Sequence, residues 1–303
     1  MSSQLVILGA SSATPTSNRN PSAQLLNIHE RYFLIDCGEG TQMQLRKFKL
    51  RFAKINHIFI SHLHGDHYLG LLGFLSSLHL LGRTIELHLY CHPPLKEIID
   101  VQLKHSETTL RYTIVYHFYD KKATEVLFED DKVKVETILL NHRVPCRGFL
   151  FTEKPGLLSI KKDKIEYYKI QVKEIHAIKC GEDFVTAEGK TIANHYLTWP
   201  ANKPVSYAYC SDTCYDERIL ESIKDVDTLY HEATFMQSMQ KRAKETYHST
   251  AKEAATIALK ANAKKLIIGH FSARYSDLNP LLEEAKAVFE NTELAEEGKV
   301  IKF

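Results

Sequence analysis

Ser61-His62-Leu63-His64-Gly65-Asp66-His67 places four side chains of metal-ligand type within six residues. Imidazole and carboxylate suit zinc and similar divalent cations. If the chain stays extended through His62 and His64, this i, i+2 pair points to one side and reaches one cation. Asp66 and His67 fall where the chain turns, so they point elsewhere and could hold a second cation close by. Gly65 lets the backbone bend between the two pairs. A solvated polar loop has no need of so many ligands at this spacing. The stretch therefore predicts a metal site.

The flanking residues say what must position it. Ile58-Phe59-Ile60 reads as the end of a buried strand, and the apolar run from Leu69 reads as the start of a buried helix. The motif thus sits on a strand-to-helix turn, where chemistry is carried on a rigid scaffold. Further strands are predicted from Leu5, Ala23, Arg31, Ile85, Tyr112, Glu125, Val133, Gly148, Val205, Asp227 and Lys265. Helices are predicted around Met43, Leu45 and Phe48, from Pro93, between Tyr215 and Ile223, from Ala251 with Ser249 as its cap, and over about 281–289. Gly38 and Gly40 form either a phosphate cradle or a plain tight turn. Ligand-type residues recur at strand ends: His62, His142, Asp212, Glu232 and His270. Strands alternating with both hairpins and helices predict an α/β fold of two mixed β-sheets with helices outside, the site gathering along a row of strand ends.

Composition bounds the partners. With 303 residues, 44% of them hydrophobic, the chain can bury a sizeable core. Net charge is only +2 at pH 7, so any surface for an anionic partner must be local. Six scattered cysteines without a C-x-x-C pair read as reduced thiols, and hence as cytoplasmic localisation. No signal-like start and no apolar run of membrane-spanning length is present, so no membrane partner is expected. From about 154 to 202 the texture changes: Lys161, Lys162, Lys164, Lys169, Lys173 and Lys179 interleave with Tyr167 and Tyr168, without strong core periodicity. This is either a solvated face or an arm inserted in a single domain spanning 1–303. His57, His79, His88, His92, His105, His117, His176 and His195 lie away from the motifs and read as core or surface. His231 could face the core.

Taken in order, these motifs resemble the metallo-β-lactamase fold superfamily and, within it, the ribonuclease Z family of transfer-RNA 3′-processing endonucleases. The matching pieces are Leu8-Gly9, Arg19-Asn20-Pro21-Ser22, Asp36 to Gln42, His62 to His67, Asn141-His142, Gly148-Phe149, Ser211-Asp212-Thr213, His231 to Phe235, His248-Ser249-Thr250 and His270 to Tyr275. The resemblance implies a metallo-β-lactamase-like αββα sandwich with two zinc ions per subunit. His62, His64 and His142 would hold one, Asp66, His67 and His270 the other, and Asp212 would bridge them. It implies zinc-dependent cleavage of the 3′ trailer from precursor tRNA by metal-held hydroxide, leaving a 3′-hydroxyl on the tRNA and a 5′-phosphate on the trailer. Asp66 would orient the nucleophile, and His248, held by Glu232, would serve the leaving oxygen. Arg274, Ser272, Tyr275 and the arm lysines Lys161, Lys162, Lys164, Lys173 and Lys179 would grip the RNA. A homodimer is also implied. Val172-Lys173 stands where family members of this size carry a Gly-Pro pair in the arm. The other readings are a small-molecule phosphodiesterase or other metallo-hydrolase of the same fold, and a non-catalytic nucleic-acid binder.

Overall fold

Along the strand Gln4–Gly9, successive side chains enter two different cores. Leu5 and Ile7 join Phe33, Phe59, Phe149, Phe151, Tyr207 and Tyr230, whereas Val6 and Leu8 join Leu34, Ile58, Phe74, Leu78 and Leu89. This is the period of two of a strand buried on both faces. The first core fills the space between two sheets. The second lies between one sheet and the helices Leu71–Leu80 and Pro94–His105.

The computed structural model describes residues 3–119, 123–201 and 203–303. It divides into two compact units, Met1–Thr152 with Val205–Phe303, and Glu153–Pro204. In the larger unit each sheet has seven strands among the described residues. One runs in the order Val300–Lys302, Gln4–Gly9, Ala23–Ile28, Arg31–Cys37, Ile55–Phe59, Leu87–Cys91 and Ile114–Phe118. Its last four strands are parallel. The other runs Thr292–Leu294, Lys265–Gly269, Thr228–Glu232, Ser206–Cys210, Arg147–Glu153, Val133–Leu139 and Val126–Glu129, and its first four strands are parallel. Helices Ala251–Lys260 and Asn279–Lys286 cover its outer face through Ala251, Ala254, Ala258, Leu281 and Ala285. Both sheets are mixed and helices lie outside each, the αββα arrangement the sequence predicts.

Local differences have simple causes. Thr250, not Ser249, caps the helix Ala251–Lys260: its hydroxyl accepts from Glu253 N (3.2 Å) while Glu253 accepts from Thr250 N (2.9 Å). Ser249 instead donates to the Thr213 carbonyl (2.7 Å). The helix expected between Tyr215 and Ile223 is a single turn, Glu217–Ile219, and the last helix starts earlier, at Asn279.

The smaller unit has a core of its own, Ile170, Ile178, Phe184, Ile192 and Leu197. Its helices Lys162–Tyr168 and Val172–Lys179 bury none and one of their residues respectively, which is why no periodicity shows in the sequence. Val172-Lys173 opens the second of these, where Glu174 accepts from Gln171 N (2.8 Å). Lys161 donates to the carbonyls of His195 and Tyr196 (3.2 and 3.1 Å) and lies over the Trp199 ring. Lys164 pairs with Asp163, whereas Lys162 and Lys173 stand exposed.

Three of the histidines set aside above form a row across the first sheet. The His57 and His88 rings stack at 5.0 Å, His88 Nδ1 lies 3.0 Å from His117 Nε2, and Phe128 packs on His57 at 4.6 Å. Burial, and then the neighbouring histidines, push His57 down to about 4. The unfolded chain, with His57 near its ordinary value, binds more protons below pH 6.5, so stability falls as pH drops from 6.5 towards 4. His57→Phe is expected to flatten this slope by up to about 3 kcal/mol across that window. Urea unfolding at a series of pH values measures it, and an unchanged slope would refute the assignment.

Candidate metal centre

Ile60 N still donates to Tyr90 O (2.9 Å), and at Ser61 the chain leaves the sheet. The end of the neighbouring strand Arg31–Cys37 holds it there. Asp36 Oδ1 accepts from Ser61 N (2.7 Å), and Asp36 Oδ2 accepts from Ser61 Oγ (2.8 Å), His67 Nδ1 (2.7 Å) and Tyr209 OH (2.7 Å). Asp36 adopts φ 54°, a left-handed conformation that turns its carboxylate under the motif. Gly38 owes its identity to close approach: a Cβ there would lie 2.4 Å from Asp66 O. It is a packing glycine beneath the motif, not a phosphate cradle. Gly65 is not in a left-handed conformation but opens the short helix Gly65–Tyr68, so the bend comes from the helix start, with His64 extended at ψ 144°.

The ligand-type atoms converge in two groups. In the first, His64 Nδ1 lies 3.0 Å from His62 Nε2 and 3.1 Å from His142 Nε2, with Asp212 Oδ2 3.6 and 3.7 Å from the same two Nε2 atoms. In the second, His67 Nε2 and His270 Nε2 lie 3.4 and 3.3 Å from Asp66 Oδ2, and 3.3 and 3.2 Å from Asp212 Oδ1. Zinc bonded tetrahedrally at about 2.0–2.1 Å requires ligand atoms roughly 3.3 Å apart. Asp212 turns one oxygen to each group.

The protons are already placed elsewhere. His67 gives its Nδ1 proton to Asp36, and its buried Nε2 has no hydrogen-bond partner. His142 Nδ1 donates to Tyr247 O (2.9 Å) and His270 Nδ1 to Thr234 Oγ1 (2.9 Å). Ser61 Oγ, 3.0 Å from His62 Nδ1, takes that proton. The opposite nitrogens thus present lone pairs to one another and to carboxylate oxygens, a repulsive arrangement unless a cation lies between them. The donor set fits a divalent metal in each group.

Beside the second group stands a carboxylate–imidazole pair. Glu232, wholly buried at the end of Thr228–Glu232, accepts from His248 Nδ1 (2.8 Å), Thr213 N (3.0 Å), Thr234 N (3.1 Å) and Thr234 Oγ1 (2.7 Å). Burial opposes protonation of His248, but the Glu232 carboxylate outweighs it and pushes the imidazole up to about 9. His231 is buried, donating from Nδ1 to the Glu232 carbonyl (2.7 Å), as its core alternative expects.

Of the expected RNA-gripping residues near the site, only Arg274 points a free group outward. It is exposed, stacks over the Phe235 ring at 5.0 Å and donates from Nε to Ser272 Oγ (3.0 Å). Tyr275 OH accepts from Met236 N (3.1 Å), so Ser272 and Tyr275 serve the loop itself. Sequence reasoning missed what anchors this loop. Arg19 donates to the carbonyls of Tyr275 (2.9 Å) and Ser272 (3.3 Å), and Asn20 is held by Glu297. It also missed Ala13, whose N–H reaches Asp66 Oδ2 (2.7 Å), and assigned Asp36 no role. An acid closing the apolar run Tyr-Phe-Leu-Ile is the signal that could have found Asp36.

Comparison with known proteins agrees with the geometry. The fold is the metallo-β-lactamase fold: the metallo-β-lactamase fold protein YhfI from Bacillus subtilis superposes with TM-score 0.69 at 18% identity, covering 100% of both chains. Human tRNase Z, short form, superposes with TM-score 0.71 at 27% identity over 98% of both chains. A family model described as Anti-Pycsar protein Apyc1 matches residues 3–179, a span that stops before Asp212, Glu232, His248 and His270. The ribonuclease Z of Bacteroides fragilis (strain YCH46) is 51% identical over 298 residues, 98% of each chain, and so spans the whole cluster. The chain belongs to the ribonuclease Z family.

Asp36→Ala removes the acceptor behind His67 and Ser61 at once. It is expected to weaken divalent-cation binding by about 10–100-fold, the usual cost of losing such an outer partner. Competition against a chromogenic chelator measures this, and wild-type affinity would show that Asp36 does not orient the ligands.

Proposed function

We propose that this chain is a zinc-dependent endoribonuclease that removes the 3′ trailer from precursor tRNA, leaving a 3′-hydroxyl on the tRNA and a 5′-phosphate on the trailer. The observation that carries the reading is the His248–Glu232 pair beside the two metal groups, in a member of the ribonuclease Z family. In this reading two zinc ions are held per subunit, one by His62, His64 and His142, the other by Asp66, His67 and His270, with Asp212 shared. Bound there, the metals would supply Lewis acidity at the phosphoryl oxygens and lower the pKa of water.

The protein's own groups do the rest. Asp66 commits Oδ2 to the cluster and to Ala13 N, which leaves Oδ1 to orient the attacking water and to take the proton that this water gives up as its oxygen bonds to phosphorus. As water oxygen adds to phosphorus, the bond to the ribose 3′ oxygen breaks and its electron pair stays on that oxygen. His248, protonated because Glu232 faces it, gives the oxygen a proton from Nε2, the ring nitrogen not engaged with Glu232. Arg274 holds a phosphate near the cut. The unit Glu153–Pro204 is the arm that binds the tRNA body, with Lys162 and Lys173 as exposed charges and Lys161, Lys164 and Lys179 beside them. RNA of this kind is recognised largely by shape and backbone, which suits lysines on a separate unit.

The enzyme works in the cytoplasm as a homodimer. Supporting this are six cysteines, all free, and the exposed apolar side chains Met43, Leu80 and Leu81 on or beside the contacting helices Thr41–Lys47 and Leu71–Leu80. No helix among the described residues is long and apolar enough to cross a membrane.

Purified protein loaded with zinc is expected to cut precursor tRNA once, before the trailer. Cleavage of a chromogenic phosphodiester with no cleavage of precursor tRNA would favour a small-molecule phosphodiesterase instead. Asp212→Ala should lose zinc by elemental analysis and nearly all activity, since one carboxylate faces both groups; two zincs per chain with normal turnover would sink its bridging role. His248→Ala should keep its metal yet lose about 10²–10⁴-fold in rate, the range for a general acid. Wild-type single-turnover rates in that variant would end the role.

A further inference from the structure

Against His248 lies a recess with no role in the chemistry described so far. It has a cavity volume of about 640 Å³, within the range of small-ligand sites. Its wall is formed by Asn141, Cys214 and Tyr215 and by Lys241, Lys244 and Tyr247 of the helix Gln240–Thr246 and its end. Of the site residues, only His248 lines it. His248 is thus where the recess meets the site.

The lining has the chemistry of a nucleotide site. Tyr247 is 41% exposed, and its ring is free to stack because its anchoring contact to His142 uses the backbone carbonyl. Lys241 and Lys244 stand three residues apart on one face of the helix, both exposed and neither with an acidic partner among the described residues. The one acid in the lining, Glu253, is engaged by Thr250 N (2.9 Å) and Gln240 Nε2 (2.8 Å). A ring beside two unneutralised ammonium groups suits a base with its phosphate.

We propose that this recess binds the ribonucleotide immediately 5′ of the cut, with its base on Tyr247 and its 5′ phosphate on Lys241 and Lys244. The inference rests on the endonuclease reading, because there the oxygen that takes the His248 proton is the 3′ oxygen of that nucleotide. Stacking tolerates every base, so the pocket sets the position of the cut and not its sequence.

The test compares kcat/KM for precursor tRNA carrying either an ordinary base or an abasic site at the nucleotide 5′ of the cut, with a second abasic RNA altered 3′ of it. Wild-type enzyme is expected to lose roughly 10–100-fold on the 5′ abasic RNA and little on the 3′ one. In Tyr247→Leu the ratio between ordinary and 5′ abasic RNA should fall to near one, while Tyr247→Phe keeps it. Lys241→Gln with Lys244→Gln should flatten the salt dependence by about 0.7 for each phosphate no longer neutralised. A wild-type ratio near one, or a larger loss on the 3′ abasic RNA, overturns the proposal even if no variant folds. A ratio unchanged in Tyr247→Leu overturns the role of the ring. Failure to cut any precursor tRNA would instead refute the endonuclease reading, so the two outcomes are distinct.

Discussion

Two buried carboxylates outside the ligand set, Asp36 and Glu232, hold the rest of the site in place. Each stands behind two imidazoles, one directly and one through a hydroxyl. Asp36 takes the His67 proton at 2.7 Å and reaches His62 through Ser61. Glu232 takes the His248 proton at 2.8 Å and reaches His270 through Thr234. A buried imidazole whose Nδ1 proton is claimed in this way has its tautomer and ring plane settled before any cation arrives. The cost is two buried negative charges, each offset by backbone and hydroxyl donors.

This arrangement couples the site to the packing of the sheets. The first sheet supplies Asp36 and the stretch from Ser61 to His67; the second supplies His142, Asp212, Glu232 and His270. Neither sheet alone carries a complete group, since Asp212 faces both. The Tyr209 hydroxyl, from the second sheet, donates to Asp36 on the first at 2.7 Å, in a seam otherwise filled by Phe59, Phe149 and Phe151. Polar contacts at the rim fix the register of the two sheets where burial of apolar surface supplies the attraction.

The loops above the strand ends follow the same logic. The segment around Ala13 reaches Asp66 by a backbone amide, and Arg19 ties it to the loop that carries His270 and Arg274. The groups that hold this loop are thereby distinct from its exposed Arg274. Arg274 keeps an exposed guanidinium, while the Tyr275 hydroxyl accepts from the Met236 amide.

Much of this was legible in the residues alone. The alternation of apolar side chains and the recurrence of His, Asp and Glu at strand ends disclosed a layered α/β fold, because both signals are local and periodic. The spacing from His62 to His67 disclosed metal-ligand chemistry for the same reason. The helix cap at Thr250 in place of Ser249, the core of the unit Glu153–Pro204, and the close-packing role of Gly38 were not legible. Each depends on what a residue meets from a distant part of the chain: Thr213 O for Ser249, Phe184 and Ile192 for Ile178, Asp66 O for Gly38. Asp36 shows the division most clearly. Its type and its place at the end of an apolar run were in view from the start. Its partners at positions 61, 67 and 209 are brought to it only by the pairing of strands and the stacking of sheets, which no local pattern records.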